Sequence, residues 1–324
     1  MLGSGAVREE GVIADSALAR RTAEGELLAA PALAPRPLPQ VLQDYLSLTK
    51  PGVMSLLLVT EFLAMVTAAR GFPGWGPSLV ALLGGALSAG GASAVNCWYD
   101  RDIDAVMGRT RNRPVPAGRI SPNRAIAFGL VLSVLGFATF LWLANPVAAA
   151  LSVAGGAYYV FVYTLWLKRT TKENIVIGGA AGAVPPLVGW AVVTHGVGPV
   201  GLALFLLIFL WTPPHFWALS LIVRRDYEAA GVPMRPVELG VSRTREAILT
   251  YTLVMVLASL ALAVWLGPWE LAVAVGLGGV FLYLAWRVLR EGRSMRWARQ
   301  LFRYSIVYLF AFFLFTALVA TLVR

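Results

Sequence analysis

The residues most suited to chemistry lie between Asn96 and Pro114, in the run NCWYDRDIDAVMGRTRNRP. Asn96, Asp100 and Asp104 are four apart. On a helix each step of four drifts only about 40°, so three oxygen-bearing side chains share one face, while Asp102 points the other way. Such donors suit a hard cation such as Mg²⁺, which takes one or two carboxylates and leaves its other positions to water and substrate phosphates. Arg109, Arg111 and Arg113 follow, and Pro114 and Pro116 are expected to end the helical stretch. The competing reading is a solvated loop whose Asp and Arg pair with one another. A register that begins at Asn96, inside an apolar run, favours a site.

Other segments add to this set. In RRDYEAAGVPMRP, from Arg224 to Pro236, Asp226 could complete a metal cluster from across a cavity, although an Asp beside two Arg is usually a surface pair worth little. In WTPPHFW, from Trp211 to Trp217, two prolines free backbone carbonyls beside His215. A histidine at membrane depth is costly and therefore a site candidate. It precedes Asp226 by eleven residues, which on one continuous helix would put both on a shared face, about 16 Å apart in depth. Tyr163, Lys168 and Arg169 sit in YTLWLKR, where interfacial anchoring competes with binding of an anion. Gly178, Gly179, Gly182 and Ala183 read as close helix packing. Glu61 has no evident partner, and His195, in THGVGPV, reads as loop.

The elements that must hold these residues are membrane helices. Of 324 residues 58% are apolar and 14% charged, well below the roughly 25% charged of soluble domains, which excludes both an ordinary soluble enzyme and a disordered chain. Cys97 is the single cysteine, so no internal disulfide exists. Nine apolar runs reach the roughly 20 residues a span requires, near 53–70, 77–97, 125–144, 147–167, 174–193, 201–223, 247–266, 269–289 and 303–323. The expected fold is therefore an all-α, polytopic bundle of nine transmembrane helices. The net charge of +10 is scattered through loops, which argues for a membrane rather than nucleic acid as the partner. Of 27 Lys and Arg, all but Arg70 and Arg324 fall on one side of the alternation. That places the N-terminus and the acidic loops in the cytoplasm and the C-terminus outside. Residues 1–42 read as a mobile cytoplasmic tail and 43–324 as the membrane domain. The segment 38–48 has helical apolar spacing suited to the bilayer surface. Acids in the tail favour a bacterial cytoplasmic membrane over a mitochondrial one.

The run N-x-x-x-D-R-D-I-D-x-x-M-x-R-T-x-x-R-P resembles the first aspartate-rich motif of the UbiA prenyltransferase superfamily. LTKP at Leu48 to Pro51, YTLWLKR, PHFW and D-Y-x-x-A-G-V-P-M-x-P from Asp226 resemble the branch of that superfamily that prenylates haem. Together these segments cover nearly the whole chain beyond about residue 42. The superfamily commonly has a second D-x-x-x-D, whereas Ala230 stands four residues after Asp226; the haem branch shares the single Asp, and Glu228 is the nearest substitute.

The resemblance implies a UbiA-type fold and a Mg²⁺-dependent transfer of farnesyl from farnesyl diphosphate to a vinyl group of haem b, with hydration. It also implies Asn96, Asp100, Asp104 and Asp226 as metal ligands. Lys50, Arg109, Lys168, Arg169 and Lys172 become diphosphate donors, and His215, Tyr163 and Trp217 contacts for haem. A downstream haem-modifying enzyme is an implied partner. Three rival readings are prenylation of an aromatic acid, a proton-coupled transporter using Glu61, His215 and Asp226, and a haem carrier that needs no Mg²⁺.

Overall fold

The computed structural model describes residues 36–322, all helix and connecting turns. Residues 1–35, most of the expected tail, lie outside the described residues. In chain order the helices are α1 (Leu38–Leu48), α2 (Pro51–Ala69), α3 (Trp75–Tyr99), α4 (Arg101–Val106) and α5 (Pro122–Leu143). Helix α6 (Pro146–Ala157) continues through a π-helical segment, Tyr158–Leu167, into a last turn, Lys168–Thr170. Then come α7 (Asn174–Thr194), α8 (Pro199–Ile222), α9 (Arg224–Ala229), α10 (Arg235–Glu238), α11 (Gly240–Leu266), α12 (Pro268–Leu289) and α13 (Arg296–Leu322). Among the described residues nine helices are long and apolar enough to cross a membrane, one for each expected run. The largest departures are at α11 and α13, which start about seven residues earlier than the apolar runs. Hydropathy marks the greasy layer, whereas hydrogen-bonded turns such as Gly240–Glu246 extend beyond it.

Backbone contacts divide the chain after Gln43; the unit Asp44–Arg324 holds all nine long helices. Within it α2, α3, α5, α6 and α7 pack around Met65 and Phe140, and α8, α11, α12 and α13 around Phe281, Tyr308 and Phe312. Helix α2 touches both groups, through α7 and through α13. Lipid association lacks a hydrophobic drive between helices, so close backbone approach carries much of the packing. Helices α3 and α5 show it: a Cβ on Gly91 would fall 2.7 Å from the Gly129 carbonyl oxygen. Large apolar side chains such as Phe161, Val134 and Trp142 face outward, at 64–79% exposure, as a lipid-facing surface requires.

Glu61, midway along α2, is 2% exposed, and its Oε1 is buried without a hydrogen-bond partner. Gly85 on α3 and Gly189 on α7 give it room; a Cβ on either would strike Glu61. An unpartnered polar group in such a place destabilises the bundle by about 1–3 kcal/mol. Glu61→Met, similar in volume, should therefore raise the unfolding midpoint in detergent. A lower midpoint would mean that the carboxyl has a partner.

Candidate active site

The acidic motif lies where α3 ends. The helix stops at Tyr99 and α4 restarts at Arg101, yet Asp100 N bonds Asn96 O at 2.9 Å and Asp104 N bonds Asp100 O at 2.8 Å. The i, i+4 register therefore survives the break, and Asn96, Asp100 and Asp104 are all at most 3% exposed. The helical stretch ends at Val106, earlier than Pro114, because Met107 turns to extended backbone and a series of turns follows to Gly118.

Each buried donor meets a cation or an amide. Asn96 Nδ2 donates to Asp100 Oδ2 at 2.7 Å and to Thr164 Oγ1 at 3.1 Å, and Asn96 Oδ1 accepts from Lys50 Nζ. Lys168 Nζ donates to Asp100 Oδ2, and Arg169 lies 3.6 Å from Asp100 Oδ1. That Oδ1 is buried with no hydrogen bond of its own. Asp104 is taken by Arg113 at 2.7 Å; burial works against the charge on that guanidinium, and the Asp104 carboxylate together with the other groups around it holds its pKa above the usual value. Lys50 also reaches Tyr159 Oη at 3.3 Å.

The π-helical segment of α6 sets part of this geometry. Its wider turn lets Thr164 Oγ1 donate five residues back, to Tyr159 O at 2.8 Å, while the same oxygen accepts from Asn96. Such segments often mark functional positions in helices. Tyr163 stacks on Tyr159 at 5.6 Å between centroids, and its ring rests against Gly178. Gly179 presses on Thr212 in α8 and Ala183 is fully buried in the core, whereas Gly182 faces open space, so the small-residue run packs at three of its four positions.

The second acidic loop does come to the first. Arg109 Nη2 donates to Tyr227 Oη at 3.2 Å, and a Cβ on Gly108 would lie 3.8 Å from Asp226 Oδ1. Burial pushes the Tyr227 hydroxyl up, with Arg109 working against it. Asp226 makes no ion pair or side-chain hydrogen bond with the described residues. It stands on α9, after a break at Val223 across which Val223 N bonds Leu219 O at 3.0 Å and Tyr227 N bonds Val223 O at 3.4 Å, so His215 and Asp226 sit on two consecutive helices rather than on the one continuous helix expected. The break falls where the apolar run gives way to Arg224 and Arg225.

Further out, Arg169 grips Asp102 with both nitrogens at 2.7 Å and lies 4.6 Å over the Tyr99 ring. This bond holds the Asp102 carboxyl at about 2. A depressed pKa contributes stability above the unfolded value and loses it as pH falls through the folded one. Asp102→Asn should therefore shift the unfolding midpoint equally at every pH from about 5 to 9, and a slope there would contradict the pairing. Two adjoining cavities of about 340 and 360 Å³ open beside the pair and share Arg169 and Gly231. Lys172 lines the second.

Among the described residues His215 bonds none of these acids or cations, although the Phe216 ring 5.4 Å from it packs with Met107, Tyr163 and Tyr227. His215 stacks on Trp211 and Phe302 and bonds Ser305 on α13. Trp217, two residues on, turns to Tyr251 and the Arg235 guanidinium instead. His195 is an exposed cap of α7 at φ 59°. Sequence reasoning missed Tyr159, Thr164, Tyr227 and Ser305 as site neighbours. Tyr159 and Tyr163, four apart before two cations, carried a readable signal; a lone Ser or Thr did not.

Among the described residues no three of His, Cys, Asp and Glu converge closely enough to hold an ion alone. One buried carboxylate oxygen without a hydrogen bond, one unpaired carboxylate across from Gly108 and an amide oxygen fit a hard ion whose remaining positions come from water and phosphate.

Among the described residues nine helices suited to a membrane, with buried acids and cations gathered where α3 ends, define a membrane-embedded enzyme. Residues 57–307 match the UbiA prenyltransferase family, and the chain belongs to it. Among its relatives, the "Protoheme IX farnesyltransferase" of Symbiobacterium thermophilum is 50% identical over 85% of this chain and 93% of the relative. The protein of the same name from Gloeobacter violaceus is 50% identical over 84% and 90%. The Roseiflexus castenholzii relative is longer, and the chain spans 51% of it at 50% identity. A digeranylgeranylglyceryl phosphate synthase structure superposes with a TM-score of 0.72 at 18% identity, covering 87% of this chain and 99% of that one. A UbiA homologue from Archaeoglobus fulgidus bound to DMAPP and Mg²⁺ superposes with a TM-score of 0.68 at 17% identity, covering 87% and 100%. At these identities the two structures establish the fold: all-α, UbiA-type.

Proposed function

We propose that this chain transfers the farnesyl group of farnesyl diphosphate to a vinyl group of haem b with addition of water, giving haem O and diphosphate. The observation that carries the reading is the identity of about 50% along nearly the whole length of relatives bearing that activity in their names. One C–O bond of the diphosphate ester breaks and one C–C bond to the vinyl forms. The oxygen of water joins the adjacent carbon as a proton leaves.

In this reading Asn96, Asp100, Asp104 and Asp226 hold Mg²⁺, which when bound neutralises charge growing on the departing oxygens. Lys50, Lys168 and Arg169 turn from their present partners to the diphosphate, with Arg109 and Lys172 at the rim. His215 and Tyr163 belong to the haem side, among helices that exclude water from the prenyl cation, whereas Trp217, fully buried against Tyr251 and Arg235, supports the helix that carries His215. The basic loops face the cytoplasm, the C-terminus lies outside, and the cytoplasmic membrane is the location; the mitochondrial inner membrane is the alternative. Exposed Leu38, Leu42 and Leu46 seat α1 on the bilayer surface. A haem-modifying enzyme then takes up the product.

Purified protein incubated with haem b, farnesyl diphosphate and Mg²⁺ should yield, by mass spectrometry, haem heavier by one hydrated farnesyl group, and none with a chelator. Unchanged haem but a prenylated aromatic acid would replace the acceptor. Unchanged haem with Mg²⁺-independent haem binding would favour a carrier.

A further inference from the structure

One side chain at depth is held more tightly than packing alone requires. His215 lies between two rings: Trp211 at 4.2 Å and 18°, and Phe302 at 4.7 Å and 26°. Its Nδ1 is 2.6 Å from Ser305 Oγ, and that hydroxyl is itself 2.6 Å from the Phe302 carbonyl oxygen. A hydroxyl has one proton. Given to the carbonyl, it leaves Ser305 Oγ only as an acceptor for His215, so Nδ1 carries the imidazole hydrogen. Nε2 is then an unprotonated lone pair that makes no hydrogen bond among the described residues. Ser305 is fully buried, and its own carbonyl accepts from Trp211 Nε1 at 2.8 Å, which fixes the serine as firmly as the ring.

Two faces and one edge of the imidazole are thus occupied, the Phe216 ring stands edge-on to it at 5.4 Å and 83°, and Nε2 keeps one lone pair in one direction. Histidines that bind metals commonly donate the other ring N–H to an oxygen, which sets the tautomer and raises the basicity of the ligating nitrogen. The relay from His215 Nδ1 through Ser305 Oγ to the Phe302 carbonyl supplies that arrangement, each bond polarising the next.

We infer that His215 binds the iron of the haem substrate through Nε2, and that Ser305 is the positioning residue that keeps that nitrogen unprotonated and aimed. The inference rests on the haem-farnesylating reading above and deepens it, because it assigns how the macrocycle is anchored while its vinyl edge reacts. Only two histidines occur in the chain, and His195 is an exposed cap of α7, so an iron–histidine signal can be assigned.

The test uses the full chain without a polyhistidine tag, labelled with ¹⁵N-histidine and loaded with ferrous haem b in detergent. Resonance Raman spectra should show an iron–nitrogen stretch that moves with the isotope, disappears in His215→Ala and returns when imidazole is added. Ser305→Ala removes little volume and keeps the backbone carbonyl bonded to Trp211. It should shift the stretch to lower frequency and weaken haem binding about tenfold. A stretch that persists in His215→Ala, or is unmoved in Ser305→Ala, overturns the inference. If the wild type farnesylates haem yet lacks the isotope-sensitive stretch, the inference fails and the proposed function stands. If haem binds with the stretch present but is never farnesylated, the function fails instead.

Discussion

Asp100→Asn should reduce haem farnesylation by about 10²–10³-fold or more while haem binding stays within about twofold of wild type. The shape is unchanged by the substitution, and the new side chain can still accept from Asn96 Nδ2 and Lys168 Nζ through its oxygen. What disappears is a negative charge and the buried Oδ1 that has no hydrogen bond of its own. A hard cation needs both, so the expected loss lies in metal binding and in stabilisation of the leaving diphosphate rather than in the haem site. Removing the carboxylate also leaves Lys168 and Arg169 without a shared counter-ion, and breaking a buried pair costs stability. The activity should therefore be read beside the unfolding midpoint and a haem titration on the same preparation. Full activity would remove Asp100 from the metal site. Loss of activity together with loss of haem binding would indicate a collapsed bundle.

The same residues divide what a sequence makes legible from what it conceals. The nine spans and the basic loops are legible because transfer into hydrocarbon acts on each segment separately, without regard to its neighbours. The register of Asn96, Asp100 and Asp104 is legible for a similar reason, since helical spacing is local. Partners are not. Asn96 meets Thr164, Lys168 meets Asp100, and Ser305 meets His215 across 68 to 90 residues of chain, and nothing local in a serine or threonine foretells that. The π-helical segment is hidden too, because an apolar run such as YYVFVYTLWL suits either kind of turn. The single helix expected from His215 to Asp226 is interrupted for the opposite reason: it extends local spacing through Val223, where one helix ends and the next begins.

Lys168→Met separates the two tasks assigned to the cation cluster. Lys168, with 15% of its side chain exposed, is bonded to the carboxylate assigned to the metal, and Lys50 is likewise bonded to the assigned amide oxygen. Each cation therefore competes with an incoming metal for the same oxygen. Binding of a metal–diphosphate pair resolves the competition, since Lys168 can then move from Asp100 to a phosphate oxygen without leaving either charge unpaired. With methionine in its place, Asp100 loses its nearest counter-ion, a loss of a few kcal/mol in a buried pair. A bound divalent ion restores that balance. Two effects of opposite sign follow. Affinity for the metal alone, measured by Mn²⁺ electron paramagnetic resonance without diphosphate, should rise several-fold. Turnover at saturating metal should fall about 10²–10³-fold, because a donor to the leaving group is gone. If metal affinity fell along with turnover, Lys168 would be orienting Asp100 rather than competing for it. The exchange from carboxylate to phosphate would then have no basis.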